Sequence, residues 1–348
     1  MIKKGNLARD LKLWLMSTLQ LGPGIGDVFY ICPAASATSK FRAWLVNQGV
    51  DGAHIFTSLA LAYAAATAYR NDVILAMPGV YVEAATCDWT KDYTHLIGLG
   101  GPNVYGRLLR PNCMIYCDIA GVDYTVHLTG NGCQFINIVI QNGTRDSGSA
   151  TAGNLSAMKM AGNNNYFKNV GFKALQIAAQ TGEVLCSSLE MAPYGGQTLF
   201  EDCVIGQNEF VVSRDQVTQG QMLIKTATPN SPTNIEFKRC RFLSRAETAG
   251  VPMVYSETYS ADRMWLYDDC HFDNYWVNWA GICTEVFKHV AGGIQTANVT
   301  LRNCTARGYE RWTATNITNT GGALIEANMP ATAQGGGLTR APSAVVGS

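Results

Sequence analysis

The chain has 348 residues, 47% hydrophobic and 15% charged, with 26 basic side chains against 26 acidic ones. That is ample material for a large core and too little charge for a disordered chain. The zero balance argues against nucleic acid or an anionic membrane as partner, since both require a basic face, and no run of about 18 apolar residues marks a membrane span.

The opening segment, MIKKGNLARDLKLWLMSTLQLG, begins with two lysines like a signal peptide. Arg9, Asp10 and Lys12 then break the apolar run, so export by that route is not expected. Leu7, Leu11, Trp14, Leu15 and Thr18 mark one face of an amphipathic helix that Gly22, Pro23 and Gly24 stop. This stripe has no partner within its own segment, and it must cap the first coil or dock on another chain. Residues 1–26 are therefore set apart as an attachment or assembly element, with Leu11, Trp14 and Leu15 as its expected contacts.

Val28 to Ile31 reads as a strand and Phe41 to Val46 as a short helix. An alanine-rich helix near 57–70 follows, with Thr57 as its N-cap and Phe56 stapled onto Leu61. Asp72 to Tyr81 runs as a strand into a Pro-Gly turn, and Thr94 to Leu99 is another strand.

Beyond these, the chain repeats. Val126 to Ile140 and Met158 to Phe172 align without a gap, and the second half of the unit recurs as FEDC at 200–203, FKRC at 237–240, YDDC at 267–270 and LRNC at 301–304. From Phe135 the aromatic or leucine steps are 32, 33, 37, 30 and 34 residues. Short apolar segments at this period cannot bury themselves alone, so neighbouring coils must supply each other's core. The repeats show no LxxLxL signature and no 3.6-residue helical stripe, which leaves an all-β solenoid: a right-handed parallel β-helix over 27–318, with variable steps absorbed in loops. Cys203, Cys240, Cys270 and Cys304 then form an inward ladder with Ile138 and Val170. The odd total of eleven cysteines and this shared position point to free thiols and a reducing compartment. Residues 319–348 turn to Gly, Ala, Thr and Pro and read as an extended or flexible tail.

The alanine-rich helix, the strand ending in MPGVY, the stretch THLIGLGGPN and the pair Arg110–Pro111 together resemble the N-terminal cap and first coils of the pectin-lyase-like superfamily of right-handed β-helices. DVILAMPGVY with LIGLGG is most similar to β-helix proteins of tailed-phage and metagenomic viral sequences. The resemblance covers roughly residues 27 to 312; it implies a helix that plugs the open end of the solenoid and is poor guidance to function.

The chemistry of that superfamily finds little to land on. Met264 to Phe272 is superficially similar to the vWIDHC stretch of pectate lyases, but its Trp-to-Cys spacing is one residue too long, His271 follows the cysteine, and no RxPxxR occurs. Of the polygalacturonase motifs only the Asp268–Asp269 pair is present. A glycosidase needs two carboxyl groups facing one cleft. Glu201, Asp202, Glu236, Asp268, Asp269 and Asp273 are candidates, all at or beside one repeat position, where a polar outer face is the expected role. Asp268 and Asp269 are the catalytic candidates of the alternative reading. His127 is expected to point outward. Cys113 and Cys117 lack a second pair at zinc-ligand spacing, and the GxG fragments lack a nucleotide-site context, so neither metal nor cofactor is expected. Tyr275, Trp276 and Trp279 depart from the repeat and suit a buried cluster, a protein interface or a sugar-stacking patch.

The expectation is a non-enzymatic structural protein of a phage-like virion, such as a capsid decoration, spike or fibre subunit, located in the virion after assembly in the host cytoplasm. Its partners would be other virion proteins and, from the resemblance, two further copies of itself in a homotrimer. The alternative is a polysaccharide-degrading or glycan-binding β-helix, a depolymerase tailspike or adhesin partnered by a surface glycan.

Overall fold

The computed structural model describes Ser17, Gly24 and residues 26–33, 37–100, 113–117, 119, 121–143, 156–174, 186–208, 220–225, 232–246, 250–256, 262–275, 283–289, 297–312, 323–330, 338–339 and 344–346. The expected N-terminal amphipathic helix, with Leu11, Trp14 and Leu15, lies outside the described residues.

Three stacks of parallel strands wind into a right-handed β-helix. The first runs Cys87–Trp89, Tyr124–Leu128, Ser156–Met160, Ser187–Met191, Met222–Ile224, Val254–Ser256 and Phe287–His289. The second begins at Val28–Ile31, passes through Asp72–Ala76, Thr94–Gly98, Gln134–Ile136, Tyr166–Lys168, Gly196–Glu201, Thr233–Lys238 and Asp262–Asp268, and continues into Ala297–Arg307. The third comprises Gly79–Glu83, Cys113–Cys117, Val139–Asn142, Gly171–Lys173, Val204–Gly206, Arg241–Ser244 and His271–Asn274. The repeated positions of the sequence stack on themselves: Phe135 pairs in register with Phe167, Phe167 with Phe200, Phe200 with Phe237, and Phe237 with Tyr267.

The repeat motif, apolar–polar–polar–small, has a separate physical reason at each place. Its aromatic forms a stacked internal ladder with ring centroids 4.6 to 5.2 Å apart, close to the rung spacing of about 4.8 Å that parallel pairing imposes. The second polar residue, Asn137, Asn169, Asp202, Arg239, Asp269 or Asn303, occupies a left-handed corner with φ between 51 and 55°. That conformation turns the chain in one residue from the second stack to the third, and Asn and Asp tolerate it best. The amide of each of the first five donates to the carbonyl just before the next corner, as Asp202 N does to Lys238 O at 2.9 Å. After the corner the small residue points inward. All eleven cysteines are buried thiols, and none is joined in a disulfide. Cys240 Sγ donates to Lys238 O and to Phe200 O of the preceding coil, both at 3.4 Å, a weak bond that an aliphatic residue there would forgo. Burial pushes the Cys240 thiol well above its ordinary value.

Two helices finish the N-terminal end. Helix α1, Ala37–Asn47, lays Leu45 and Phe41 on the outer face of the second stack, over Val73, Leu75, Ile97 and Ile136. Helix α2, Leu59–Ala65, seals the open end: Leu59, Ala62 and Tyr63 enter the main core, and Tyr63 stacks on Trp89 at 4.3 Å. Its cap is Ser58 rather than the expected Thr57, with Ser58 Oγ accepting Leu61 N at 3.3 Å. Leu61 is 55% exposed, so the expected staple is not made; Phe56 packs on the core instead. Long-range groups do the remaining capping. Glu83 Oε1 accepts Leu59 N at 2.8 Å, and Lys91 Nζ donates to the carbonyls of Tyr63 and Ala66, each at 2.7 Å, placing a charge of suitable sign at either end of α2.

In the C-terminal stretch expected to be an extended or flexible tail, Ala323–Pro330 adds a parallel strand to Ala297–Arg307, and Leu338–Thr339 and Ala344–Val346 pair antiparallel with it.

Candidate functional site

Alternation along a strand fixes what the outer surface carries, because residues flanking an inward aromatic must face out. On the second stack the residue just before each corner forms one column: Leu75, Ile97, Ile136, Lys168, Glu201, Lys238, Asp268 and Arg302. Its apolar start lies under α1. From Lys168 onward the sign of the charge alternates at every rung, and cross-strand neighbours of opposite charge stabilise the pairing.

Of the expected carboxylates Glu201 and Asp268 fall in this column, Glu236 lies beside it, Asp202 and Asp269 are corner residues and Asp273 belongs to the third stack; both carboxylates in the column are held by bases. Asp268 receives Arg302 Nε at 2.8 Å and Nη2 at 2.5 Å, and these bonds keep its carboxyl below the usual range. Glu201 accepts the Tyr166 hydroxyl, Arg239 Nη2 at 2.5 Å and Lys168 Nζ at 3.3 Å, which together hold it down at about 2, the tyrosine contributing most. Arg239 Nε also bonds Asp202 Oδ1 at 2.8 Å. Lys238 meets Glu236 at 2.9 Å, and Arg241 meets Asp273 at 3.2 Å. Asp269 is the corner residue, with φ 54° and its amide bonded to Arg302 O; its side chain therefore leaves the backbone in a different direction from that of Asp268. The two adjacent aspartates are a column residue and a corner residue rather than a facing pair. A glycosidase requires one carboxylic acid whose proton is retained near neutral pH. Glu201 and Asp268 are both shifted the other way, with Lys238 between them.

This arrangement carries an acid-stability prediction. A depressed carboxylate contributes stability that is full above its unfolded value of about 4.3 and is lost as pH falls toward the folded value of about 2. Glu201→Gln is expected to remove on the order of 1–2 kcal/mol at pH 7 and to flatten the loss of stability between pH 5 and 2, read by urea denaturation across that range. An unchanged acid limb would show that the contacts around Glu201 contribute nothing net.

The first stack presents a second polar face that sequence spacing did not single out. Asp88, His127, Lys159 and Glu190 pair in register along it. His127 points outward as expected, with Nδ1 3.2 Å from Asp88 Oδ1. Glu190 is fully buried between Lys159 Nζ at 3.7 Å and Lys225 Nζ at 3.3 Å, with the Tyr124 hydroxyl 3.4 Å away. Burial and the Glu190 charge raise the Tyr124 hydroxyl. The only sequence signal was a charged residue between two core residues, Leu189 and Met191, in a coil whose FEDC motif follows ten residues later. Asp88 and Glu190 stand three rungs apart, about 14 Å, beyond the separation of a glycosidase pair.

Tyr275 is exposed at the end of His271–Asn274, with the Arg307 guanidinium 5.9 Å from its ring centre. Trp276 and Trp279 lie outside the described residues. His271 Nδ1 lies 2.6 Å from Thr305 Oγ1. Cys113 and Cys117 are buried in one strand, and among the described residues no group of three or more His, Cys, Asp or Glu is placed to hold a metal ion. No helix among the described residues is long and apolar enough to cross a membrane.

No family model and no curated protein matches the chain. Among solved structures it is similar to a pectin methylesterase mutant in complex with a hexasaccharide, at 16% identity and a TM-score of 0.52, over 82% of this chain and 80% of that one. Looser likenesses are the pectin methylesterase of Erwinia chrysanthemi, at 14% identity and a TM-score of 0.48 over 84% and 82% of the two chains, and an open-reading-frame product of Geobacillus virus E2, at 10% identity and 0.42 over 94% and 66%. Similarity at the level of the first speaks to architecture alone, and together with the strand register it gives one result: the chain is a right-handed parallel β-helix, similar in fold to that pectin methylesterase.

Proposed function

We propose that the chain is a non-enzymatic structural protein of a phage-like virion, a capsid decoration, spike or fibre subunit that assembles as a homotrimer with other virion proteins in the host cytoplasm. The observation that carries the non-enzymatic part is the outer charge column: its two candidate carboxylates, Asp268 and Glu201, are each engaged by arginine and held below the usual range, the opposite of what a general acid requires. The virion part is supported by the likeness of DVILAMPGVY and LIGLGG to viral β-helix sequences, and by the apolar stripe of Leu7, Leu11, Trp14 and Leu15, which has no partner in its own segment. Two measurements test it. Purified protein is expected to leave pectate, alginate and capsular polysaccharide uncleaved with or without calcium, and purified particles are expected to contain the chain, released as a trimer in sedimentation. Cleavage that Asp268→Asn or Asp269→Asn abolishes would overturn the non-enzymatic reading; absence from particles would overturn the virion reading.

The exposed Tyr275 beside Arg307 favours a second reading, a β-helix that binds or degrades a surface glycan. Tyr275→Ala would weaken glycan retention on that reading and leave it unchanged on the first.

A further inference from the structure

The turn from the first stack to the second is built like the turn from the second to the third, but it carries different side chains. Tyr69, Tyr93, Gly132, Asn164 and Gln197 all adopt left-handed backbone, with φ of 64, 53, 66, 57 and 48°. Tyr69 N donates to Asp92 O, Tyr93 N to Asn131 O, Gly132 N to Asn163 O and Asn164 N to Gly196 O, so each corner is tied to the residue preceding the next one. The five corners therefore form one column along the solenoid axis, about 4.8 Å per rung. Glycine and asparagine suit such backbone; a bulky aromatic does not. Tyr194, which precedes Gly195 and Gly196, is a third tyrosine in the same strained region, at φ 71°.

None of the three tyrosines is buried in the core, although the Tyr69 hydroxyl bonds the Asp92 carboxylate, the group that also holds Asn131 at the next corner. Tyr69, Tyr93 and Tyr194 are 73, 46 and 64% exposed. The Tyr93 ring lies across Gly132, where an added Cβ would meet it at 2.6 Å, and the Tyr69 ring stands 6.1 Å away. Amides lie beside the rings: Asn131 Nδ2 bonds Asp92 at 3.1 Å, Asn131 Oδ1 accepts Asn163 N at 2.8 Å, and Asn164 and Gln197 are exposed. The basic groups nearby are engaged elsewhere, Arg70 with Asp27 and Asp72 and Lys91 with the carbonyls at the end of α2. A ridge of spaced tyrosines and amides that carries the Asp92 carboxylate, and whose neighbouring cations Arg70 and Lys91 are engaged elsewhere, is neither an apolar docking face nor an anion site. Strained backbone held where Gly or Asn would sit without strain points to recognition rather than folding, and tyrosine offers an apolar face with a polar tip.

We propose that this ridge binds an uncharged polysaccharide lying along the solenoid axis, with Tyr69, Tyr93 and Tyr194 stacking on sugar rings and Asn164 and Gln197 meeting hydroxyl groups. The site is separate from Tyr275, and it deepens the glycan-binding reading without requiring cleavage.

The test uses the full chain in titration calorimetry against cellohexaose, chitohexaose and maltohexaose, with hexagalacturonate as the anionic comparison. At least one neutral hexasaccharide is expected to bind, and Tyr69→Asn or Tyr93→Asn to weaken it by about tenfold or more. Both variants are expected to melt no lower than the parent, because Asn accepts left-handed backbone. Lower melting in the Asn variants would show the tyrosines to be packing groups and overturn the proposal. It would equally be overturned if no neutral sugar bound or if only hexagalacturonate did. Binding abolished by Tyr275→Ala and untouched by both Asn variants would remove this site while leaving the glycan-binding reading in place.

Discussion

Phe200→Ala is expected to lower stability by about 3–5 kcal/mol. Phe200 is fully buried in the middle of the aromatic ladder, with Phe167 at 4.6 Å and 5° on one side, Phe237 at 4.7 Å and 13° on the other, and the edge of Phe172 at 6.0 Å. Truncation removes the apolar transfer term and both stacked contacts, each aromatic pair being worth about 0.5–1.5 kcal/mol beyond its area. The void cannot close, because the rung spacing is set by backbone bonds on both sides. Since a solenoid couples mainly through nearest neighbours, hydrogen exchange is expected to accelerate in the adjacent strands Tyr166–Lys168 and Thr233–Lys238 well before it does in Asp72–Ala76. A loss below about 1 kcal/mol in denaturant titration would mean the ladder is not the principal source of cohesion between coils.

Asp72→Ala is expected to cost about 3–5 kcal/mol, for an electrostatic reason. The Asp72 carboxylate is fully buried and accepts four donors: Asp27 N at 2.8 Å, Thr67 N at 2.7 Å, Arg70 Nε at 3.1 Å and Arg70 Nη2 at 2.9 Å. It thereby fastens the entry to the first strand and the exit from α2 to one point. The approach is so close that a Cβ on Gly26 would fall 2.0 Å from Asp72 Oδ1 and 2.5 Å from Arg70 O. Removing the carboxylate leaves the part-buried amides of Asp27 and Thr67 without their acceptor, which costs free energy, while the half-exposed Arg70 guanidinium keeps only Asp27. Asp72→Asn keeps one acceptor oxygen and is expected to cost roughly half as much. Thermal melting and proteolysis of the N-terminal segment report both effects; an Asp72→Ala chain with parent-like melting and protease resistance would show that this end of the solenoid is held by α2 alone.

Part of this molecule was legible residue by residue. The apolar–polar–polar–small motif required a coil with an inward aromatic and an inward cysteine, and Phe200, Phe237, Cys203 and Cys240 occupy those places. Two consecutive polar residues between them signalled a break in strand alternation, which the left-handed Asp202 and Arg239 supply. Helix α2 was legible from its alanines, with its cap displaced by one residue to Ser58, but not the groups that bond its two ends, because Glu83 and Lys91 are 24 and 28 residues from Leu59 and Tyr63. The site was legible only as a surface. Asp268 and Asp269 are neighbours in the chain and were natural partners on that ground, yet one belongs to a column and the other to a corner.

What the sequence by itself determined is the inward ladders and the position of the turn in each coil, because both depend on residues within four places of one another, and the period, because that short motif recurs every 30 to 37 residues. The tertiary structure alone decided which outer groups meet. The steps between motifs range from 30 to 37 residues, so no fixed offset relates Lys168 to Glu201, Lys238, Asp268 and Arg302, or Glu190 to Lys159 and Lys225. Backbone pairing absorbs the differences in loops and restores a common rung spacing of about 4.8 Å, and only at that spacing do the charges neutralise one another and do Tyr69 and Tyr93 come to stand on a single edge.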